Sequence, residues 1–450
     1  MSQPNVLFIV LDSVRADRVS PYNTEMDTTP YLGEFADQAT VFENAFSPAS
    51  WTLPSHTSMF TGLTPSEHGV TNWFSDQPVG LGDNLNLLAE QLSEHGYRTA
   101  GFSNNPWVGS LTGLDRGFDD FVEWDLEISS SNPDDPPSRK NRVYSRLHTL
   151  LGTAQRQPIY LLKRRFFTSQ LIDRAGTWLS NSKSDGQPRY AFMNLMEAHS
   201  PYFPPRDSFR LLEYDAPGPI EPRLLNMKLL MYVMDRGDLS PELRQRVIEY
   251  YDASLRYQDR KLNELLTRLR KQGTYDDTLI VICSDHGKEL GEFKRDSVPP
   301  HYTRWVNTNI PLIVKMPGQR AGYRVKEPAE LTRVHDLIQK GDDSPTATLT
   351  TDGFALVEEH IPHSGRSGDE VNCWRVLTDG EYRYIRGDDG QEFLMHNGHL
   401  EDDETQMLEW LRTSLDDRIS QLEPQIGTTE NRGSVSGNVK QQLQELGYLE

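Results

Sequence analysis

Three short apolar runs, VLFIVL (6–11), YAFMNLM (190–196) and TLIVICS (278–284), each end at or near a side chain of the kind that binds metals. Asp12 follows the first run directly, Asp285-His286 follows the third directly, and His199 lies three residues beyond the second. Runs of this length, bounded by polar residues, read as buried strands. Amphipathic helical stretches alternate with them: NLNLLAEQLSEHG (84–96), closed by Gly96, and the long 241–273 stretch, with Pro241 near its start and Gly273 at its end. YRTAGFS and PLIVKMP (311–317) supply two further strands. The alternation predicts an α/β fold with a large, mostly parallel sheet flanked by helices. In such sheets ligands bind beyond the carboxyl ends of the strands, so all three ends deliver their side chains to one rim. A single Asp after a strand is commonly a turn residue; three coincidences on one rim point to a metal centre.

The pattern changes after about residue 320. CWRVLTDGEYRYIRGDDGQEFLMH alternates as an antiparallel meander, with turns at Asp379-Gly380 and Asp389-Gly390. Two helical stretches follow, LEDDETQMLEWLRTSLDDRISQL and NVKQQLQELGYLE. The expected organisation is a catalytic unit over 1–320 and a small C-terminal α+β unit over 321–450. Residues 126–165, with SSSNPDDPPSRKNR and a basic stretch around LLKRRFF, are an excursion over the surface or a substrate-selecting lid.

The stretch SWTLPSHTSMFTG (50–62) supplies a nucleophile. Pro54 occupies a preferred first helical position, which places Thr52 just ahead of a helix N-terminus. Free N–H groups and the helix dipole there favour a sulfate or phosphate group and an ionised alkoxide. A hydroxyl beside a divalent ion loses its proton far more readily. Alone, Thr52 reads as an N-cap; together with Asp12, Asp285 and His286 it reads as the attacking group.

Charge narrows the partners. Sixty-six acidic residues face 46 basic ones, of which 12 are Lys, for a net charge of −20. That balance excludes nucleic acid and anionic membrane as attractive partners. It matches salt adaptation of a halophilic kind, or an acidic surface with no environmental meaning; composition leaves both open. The N-terminal apolar run is short and lacks a basic flank, and no window has the apolar length of a membrane span, so a cytoplasmic protein is expected. Cys283 and Cys373 give no disulfide framework, and Cys283 reads as a buried strand thiol.

NVLFIVLDSVRADRVSPY, TTPYLGEFADQATVFENAFSPASWTLPSHTSMFTG, MEAHSPYFPP, SDHGKELGE and the closing LQELGYLE together resemble the sulfatase family of the alkaline phosphatase superfamily. The resemblance implies an α/β catalytic domain with a small C-terminal antiparallel sheet and helix. It implies one divalent metal ion on Asp12, Thr52, Asp285 and His286, Zn²⁺ or Mn²⁺ in preference to Ca²⁺. It also implies catalytic roles for His199 and His301 at the transferred group or the leaving oxygen. Relatives that mature a formylglycine carry Cys or Ser at the position of Thr52 and Arg at that of His56, and Thr excludes that maturation. They also have a second Asp where Ser13 stands, Asn where His286 stands, and a Lys-x-His stretch around Asn105. His56, Asn105 and Ser13 are therefore candidate substrate contacts, His56 alternatively a packed helix residue. Arg15 and Asp17 form a candidate local ion pair, and Glu197 a candidate ligand for a second ion. Thr with Asp-His-Gly is similar to the phosphodiesterases, phosphonate monoester hydrolases and phosphoethanolamine transferases of the superfamily. The expected function is hydrolysis of a small-molecule or glycan sulfate or phosphate ester through a covalent Thr52 intermediate. The alternatives are a phosphoryl or phosphoethanolamine transferase, and a non-catalytic binding protein that keeps the fold.

Overall fold

The computed structural model describes residues 3–70, 81–123, 157–180, 186–233, 238–293, 303–341, 344–360, 373–401 and 406–424. The first strand, β1 (Asn5–Leu11), lies near the middle of an eight-stranded sheet, in line with its apolar composition. Its remaining strands are β2 (Thr40–Phe42), β4 (Arg98–Ser103), β5 (Asp120–Glu123), β6 (Arg189–Leu195), β7 (Thr278–Cys283), β8 (Leu312–Lys315) and β9 (Tyr323–Val325), in the order β5-β4-β6-β1-β7-β8-β2-β9. β5, β4, β6, β1 and β7 run parallel, while β8 is antiparallel to both β7 and β2. The sheet is thus mixed and mostly parallel, as the alternating pattern requires.

Side chains alternate across this sheet and bury two separate layers. Leu7, Ile9 and Leu11 point to a core shared with Met193, Leu195, Ile280 and Ile282 and with Tyr251, Leu255, Leu262 and Leu266 of the long helix Pro241–Gln272. That helix starts on Ser240, whose hydroxyl accepts from Leu243 N–H, and stops at Gly273, where a left-handed backbone with φ of 66° suits glycine. On the other face Val6, Phe8 and Val10 meet Phe192, Val281 and the thiol of Cys283, together with Met59 and Phe60 of the helix Thr52–Thr61. Cys283 is buried and free, in agreement with its place in an apolar strand.

Residues beyond 320 do not leave the large unit at once. β9 hydrogen-bonds to β2, and Val334, Leu337, Ile338 and Leu349 pack into the same core as Phe8 and Val10. Residues 321–349 thus contribute apolar side chains to the core of the large sheet. A two-residue parallel pair, β3 (Ala45–Phe46) with β10 (Ala329–Glu330), ties this segment back to the chain ahead of Thr52. The small sheet follows as the meander β11 (Ala355–His360), β12 (Cys373–Thr378), β13 (Tyr382–Gly387), β14 (Glu392–His396) and β15 (His399–Leu400), with the expected turns at Gly380 and Gly390. Leu411 and Leu415 of the helix Gln406–Ser420 cover one face, against Leu356, Leu377 and Tyr384. The expected helix NVKQQLQELGYLE and most of the 126–165 excursion fall outside the described residues.

β11 also grips the segment that precedes the candidate nucleophile. Glu358 N–H donates to Pro48 O at 2.8 Å, and the Glu359 carboxylate accepts from Ser50 N–H. Burial pushes the Glu359 carboxyl up to about 8, against the pull of its Ser50 hydrogen bonds. A carboxyl raised in the folded state stabilises below its unfolded pKa and loses that contribution as pH rises through the folded value. Glu359→Gln keeps an oxygen for Ser50 and removes the charge. Thermal denaturation against pH should show the wild type losing stability between about pH 4.5 and 8, with a clearly smaller loss in Glu359→Gln; equal slopes would contradict this account.

Candidate active site

Register on the central strands builds the site. In β1, Leu11 stands opposite Leu195 of β6, and Val10 opposite Cys283 of β7, so Asp12 and Asp285 leave the sheet side by side. Asp12 N–H donates to Leu195 O at 2.9 Å, which fixes the first turn beyond the strand. Ser13 adopts a left-handed backbone with φ of 62°, and its N–H donates to Asp285 Oδ1 at 3.0 Å. Tyr251 of the long helix holds this turn: its hydroxyl donates to Ser13 O at 2.9 Å and accepts from Arg15 N–H at 3.0 Å. Arg15 pairs with Asp17 at 2.8 Å as expected, and also with Glu292, so it bridges the two strand-end loops.

The ligand-type atoms of Asp12, Asp285 and His286 lie within 4.8 Å of one another, and all three residues are buried. His286 Nδ1 sits 2.7 Å from Gly287 O, which makes Nδ1 the protonated nitrogen and leaves the Nε2 lone pair free for the site. Nε2 lies 3.3 Å from Thr52 Oγ1 and 3.5 Å from Asp285 Oδ2. Asp285 Oδ2 is fully buried and has no hydrogen-bond partner among the described residues. Burial, and then the neighbouring Asp12 carboxylate, push the Asp285 carboxyl up. Burial acts to raise Asp12 too, but the imidazoles of His199 and His286 outweigh it and bring Asp12 below the ordinary carboxylate value. An orphaned carboxylate oxygen beside a second carboxylate and an outward imidazole lone pair fits a dication. Mixed oxygen and nitrogen donors suit Zn²⁺ or Mn²⁺ better than Ca²⁺.

Thr52 is the first residue of its helix, with Trp51 as the N-cap, and its side chain caps nothing. The expected boundary was two residues later, at Pro54; Pro54 instead sits in the first turn, where its missing N–H is one of the orphans anyway. Thr52 is 8 % exposed and His286 7 %, whereas Asp12 and Asp285 are completely covered, so what little exposure the group has lies at Thr52 and His286.

Three expected substrate contacts are corrected by their burial and partners. The Ser13 hydroxyl donates to Asp12 Oδ1 at 2.8 Å, and Asn105 Nδ2 donates to Asp12 Oδ2 at 2.6 Å. His56 is fully buried: its Nδ1 donates to Thr52 O at 2.8 Å, and its Nε2 accepts from Asn194 Nδ2 at 3.1 Å. Burial pushes His56 well down, so it is a neutral hydrogen-bonding strut. These residues orient Asp12 and Thr52, and none offers a free polar face to a substrate. His199, whose charge acts on Asp12, is half-buried and lies with its Nδ1 2.5 Å from Ser200 O. The Glu197 carboxylate accepts the Thr168 hydroxyl, whose oxygen accepts from Asn104 Nδ2 at 3.3 Å. His301 lies outside the described residues. Asn194 and Tyr251 were missed by sequence reasoning. Asn194 left a trace, as the one amide inside YAFMNLM, whereas Tyr251 is one of several tyrosines on an amphipathic helix.

Residues 4–340 match the Sulfatase family. The chain belongs to the sulfatase family and is an ester-hydrolysing enzyme. It is 25 % identical over 431 residues to a sulfatase of Formosa agariphila, spanning 88 % of this chain and 81 % of that one. It is 24 % identical over 347 residues to the human iduronate 2-sulfatase, spanning 70 % of this chain and 60 % of that enzyme. Among solved structures, the phosphonate monoester hydrolase of Silicibacter pomeroyi shares the fold, with a TM-score of 0.64, 19 % identity and coverage of 95 % and 97 %. No helix among the described residues is long and apolar enough to cross a membrane.

Two outcomes follow from this geometry. Removal of bound metal by a chelator should lower the melting temperature, and Zn²⁺ or Mn²⁺ should restore it; saturation at 100 times Kd corresponds to about 2.7 kcal/mol. An unchanged melting temperature in fully metal-free protein would contradict the site. A Cβ on Gly287 would stand 2.0 Å from Val306 O, while Gly287 N–H donates to Asn307 O at 2.8 Å. Gly287→Ala must therefore push the 303–308 segment or His286 aside. It should lower both metal content and thermal stability, read together by elemental analysis and calorimetry.

Proposed function

We propose that the chain hydrolyses sulfate or phosphate esters by direct attack of Thr52 Oγ1 on sulfur or phosphorus, giving a covalent ester on Thr52 that water then cleaves. The observation that carries this reading is the Thr52 hydroxyl, 3.3 Å from Nε2 of His286, which belongs to the buried Asp12–Asp285–His286 group. A divalent ion held by Asp12, Asp285 and His286 would lower the pKa of the Thr52 hydroxyl and neutralise charge on the ester oxygens. Thr52 contributes the attacking oxygen and, as the first helical residue, stands where unpaired N–H groups favour an anionic group. His56 and Asn194 hold the Thr52 carbonyl and so the direction of its side chain, which matters because displacement of about 1 Å can cost on the order of 10²-fold in rate. His199 and His301 are assigned to the leaving oxygen, where an imidazolium would donate the proton that the departing alcohol needs.

Thr at the attacking position, with Asp-His-Gly, supports attack without formylglycine and favours phosphorus, while the sulfatase of Formosa agariphila is a relative named for sulfate chemistry. Activity towards an aryl sulfate, a phosphate monoester, a phosphodiester and a phosphonate monoester should therefore be measured on one preparation. Thr52→Ala should retain metal and lose activity by several orders of magnitude, and Thr52→Ser should keep part of it. Mass spectrometry during turnover of a slow substrate should find a sulfuryl or phosphoryl group on the Thr52 peptide. An alanine variant working at the wild-type rate would show that water attacks directly. No turnover of any of the four esters would favour the binding-protein alternative.

A further inference from the structure

A second group of metal-type side chains lies on the small sheet. Glu358 and His360 are two residues apart in β11 and share a face, and Cys373 of β12 stands directly opposite His360. This is the face on which Leu356 and Leu377 pack under the helix Gln406–Ser420. Further along it the covering group is Ser66, from the short helix Pro65–His68 of the large unit. Ligand-type atoms of Glu358, His360 and Cys373 lie within 4.8 Å of one another, with Glu358 and Cys373 buried and His360 half-buried. Cys373 Sγ is 3.7 Å from His360 Nε2. A tetrahedral Zn²⁺ with bonds of about 2.3 Å to sulfur and about 2.0 Å to nitrogen holds those two atoms roughly 3.5 Å apart. Ser66 Oγ is 3.4 Å from the same Nε2 and donates to Glu358 Oε1 at 2.6 Å, so a hydroxyl borders the remaining side.

We propose that Glu358, His360 and Cys373 form a second site for a borderline-soft divalent ion of the Zn²⁺ type, structural in role and separate from the Asp12–Asp285–His286 centre. Local charge supports it. Glu358 is shared with Arg375, whose Nε donates to Oε1 at 3.0 Å and whose Nη1 donates to Asp388 at 2.9 Å. Two carboxylates and one guanidinium sum to −1, and ionising Cys373 would make −2, which one dication cancels. Glu358 has two oxygens and accommodates Arg375, Ser66 and an ion together. Burial keeps the Cys373 thiol protonated on its own, so occupation releases one proton to solvent as the metal–sulfur bond forms. The nearby imidazole of His68 is pushed down to about 3 by burial and then by the neighbouring His360, so it adds no positive charge to the site. Occupation would lock the ends of β11 and β12 to Ser66. Through the adjacent Glu359–Ser50 contact it would also steady the turn ahead of Thr52.

The test uses the full chain carrying Asp285→Asn and His286→Ala, which disables the central site, titrated with Co²⁺. The proposal expects one equivalent bound with a thiolate-to-cobalt charge-transfer band, and a rise in melting temperature with Zn²⁺. Both should be lost on adding Cys373→Ser. If the doubly substituted chain fails to fold, the measurement is zinc content of the otherwise unaltered protein, expected to fall from two ions per chain to one in Cys373→Ser. A band that survives Cys373→Ser, no thiolate band at saturating Co²⁺, or an unchanged zinc content would each overturn the proposal.

Discussion

Asp12 and Asp285 stand side by side without access to water, and the rest of the catalytic unit is arranged around making that tolerable. Two carboxylates in a dry environment repel and are costly to desolvate, so they must find opposite charge and hydrogen bonds. The protein supplies the hydrogen bonds: Ser13 and Asn105 to Asp12, and the backbone N–H groups of Ser13 and His286 to Asp285. One oxygen of Asp285 is left with no partner among the described residues. The parallel register of β6, β1 and β7 forces this proximity, because equal strand ends put consecutive first-loop residues on one rim. A register slip of one residue would turn Asp12 to the opposite face of the sheet. The hydrophobic alternation that fixes β1 between two cores is therefore also what fixes the distance between the carboxylates.

The small sheet braces the Thr52 side of this arrangement. Phe46, just upstream of Thr52, packs among Val357, Trp374 and Val376 of the meander, while Glu358 and Glu359 take hydrogen bonds from Ser66 and Ser50 on either side of the Thr52–Thr61 helix. Arg383 of β13 reaches the other flank, donating to Thr303 O at 2.7 Å in the segment that abuts Gly287. The C-terminal unit thus braces both loops of the site, although none of its described side chains joins the Asp12–Asp285–His286 group.

The central strands were legible because each is a short apolar run with a polar residue at or near its end, and burial on both faces leaves no ambiguity of period. The convergence of Asp12, Asp285 and His286 follows for the same reason, as strand ends in a parallel sheet must meet on one rim. The support was not legible. Ser13, His56 and Asn105 looked like groups that meet a substrate, because sequence shows residue type and position near a ligand but not which way a side chain turns. Their side-chain hydrogen bonds are to partners as far as 138 residues away, as between His56 and Asn194, and no local pattern encodes such a pairing. The contribution of residues 325–349 to the large core was likewise hard to read, because strand, short helices and loops there each bury only a few apolar residues against a core made elsewhere.

The Thr52–Thr61 helix shows why periodicity alone could not have marked this segment as central. Every residue in it is buried, yet Thr52, Ser55, His56, Thr57, Ser58 and Thr61 are polar, so no apolar stripe marks a buried face. A helix enclosed on all sides is ordinarily apolar all round. This one remains buried because each hydroxyl or imidazole has a defined partner. Thr57 and Thr61 bond back to the carbonyls of Leu53 and Thr57, Ser55 donates to Asp285 O, Ser58 meets His68, and His56 spans Thr52 and Asn194. Leu53, Met59 and Phe60 supply its apolar anchoring in the core that holds Phe8 and Phe192. A satisfied polar helix is a rigid one, since each rotamer is fixed by a bond whose loss would leave a buried group unpaired. Those bonds, rather than an apolar stripe, let a segment with so weak an apolar signal occupy the interior.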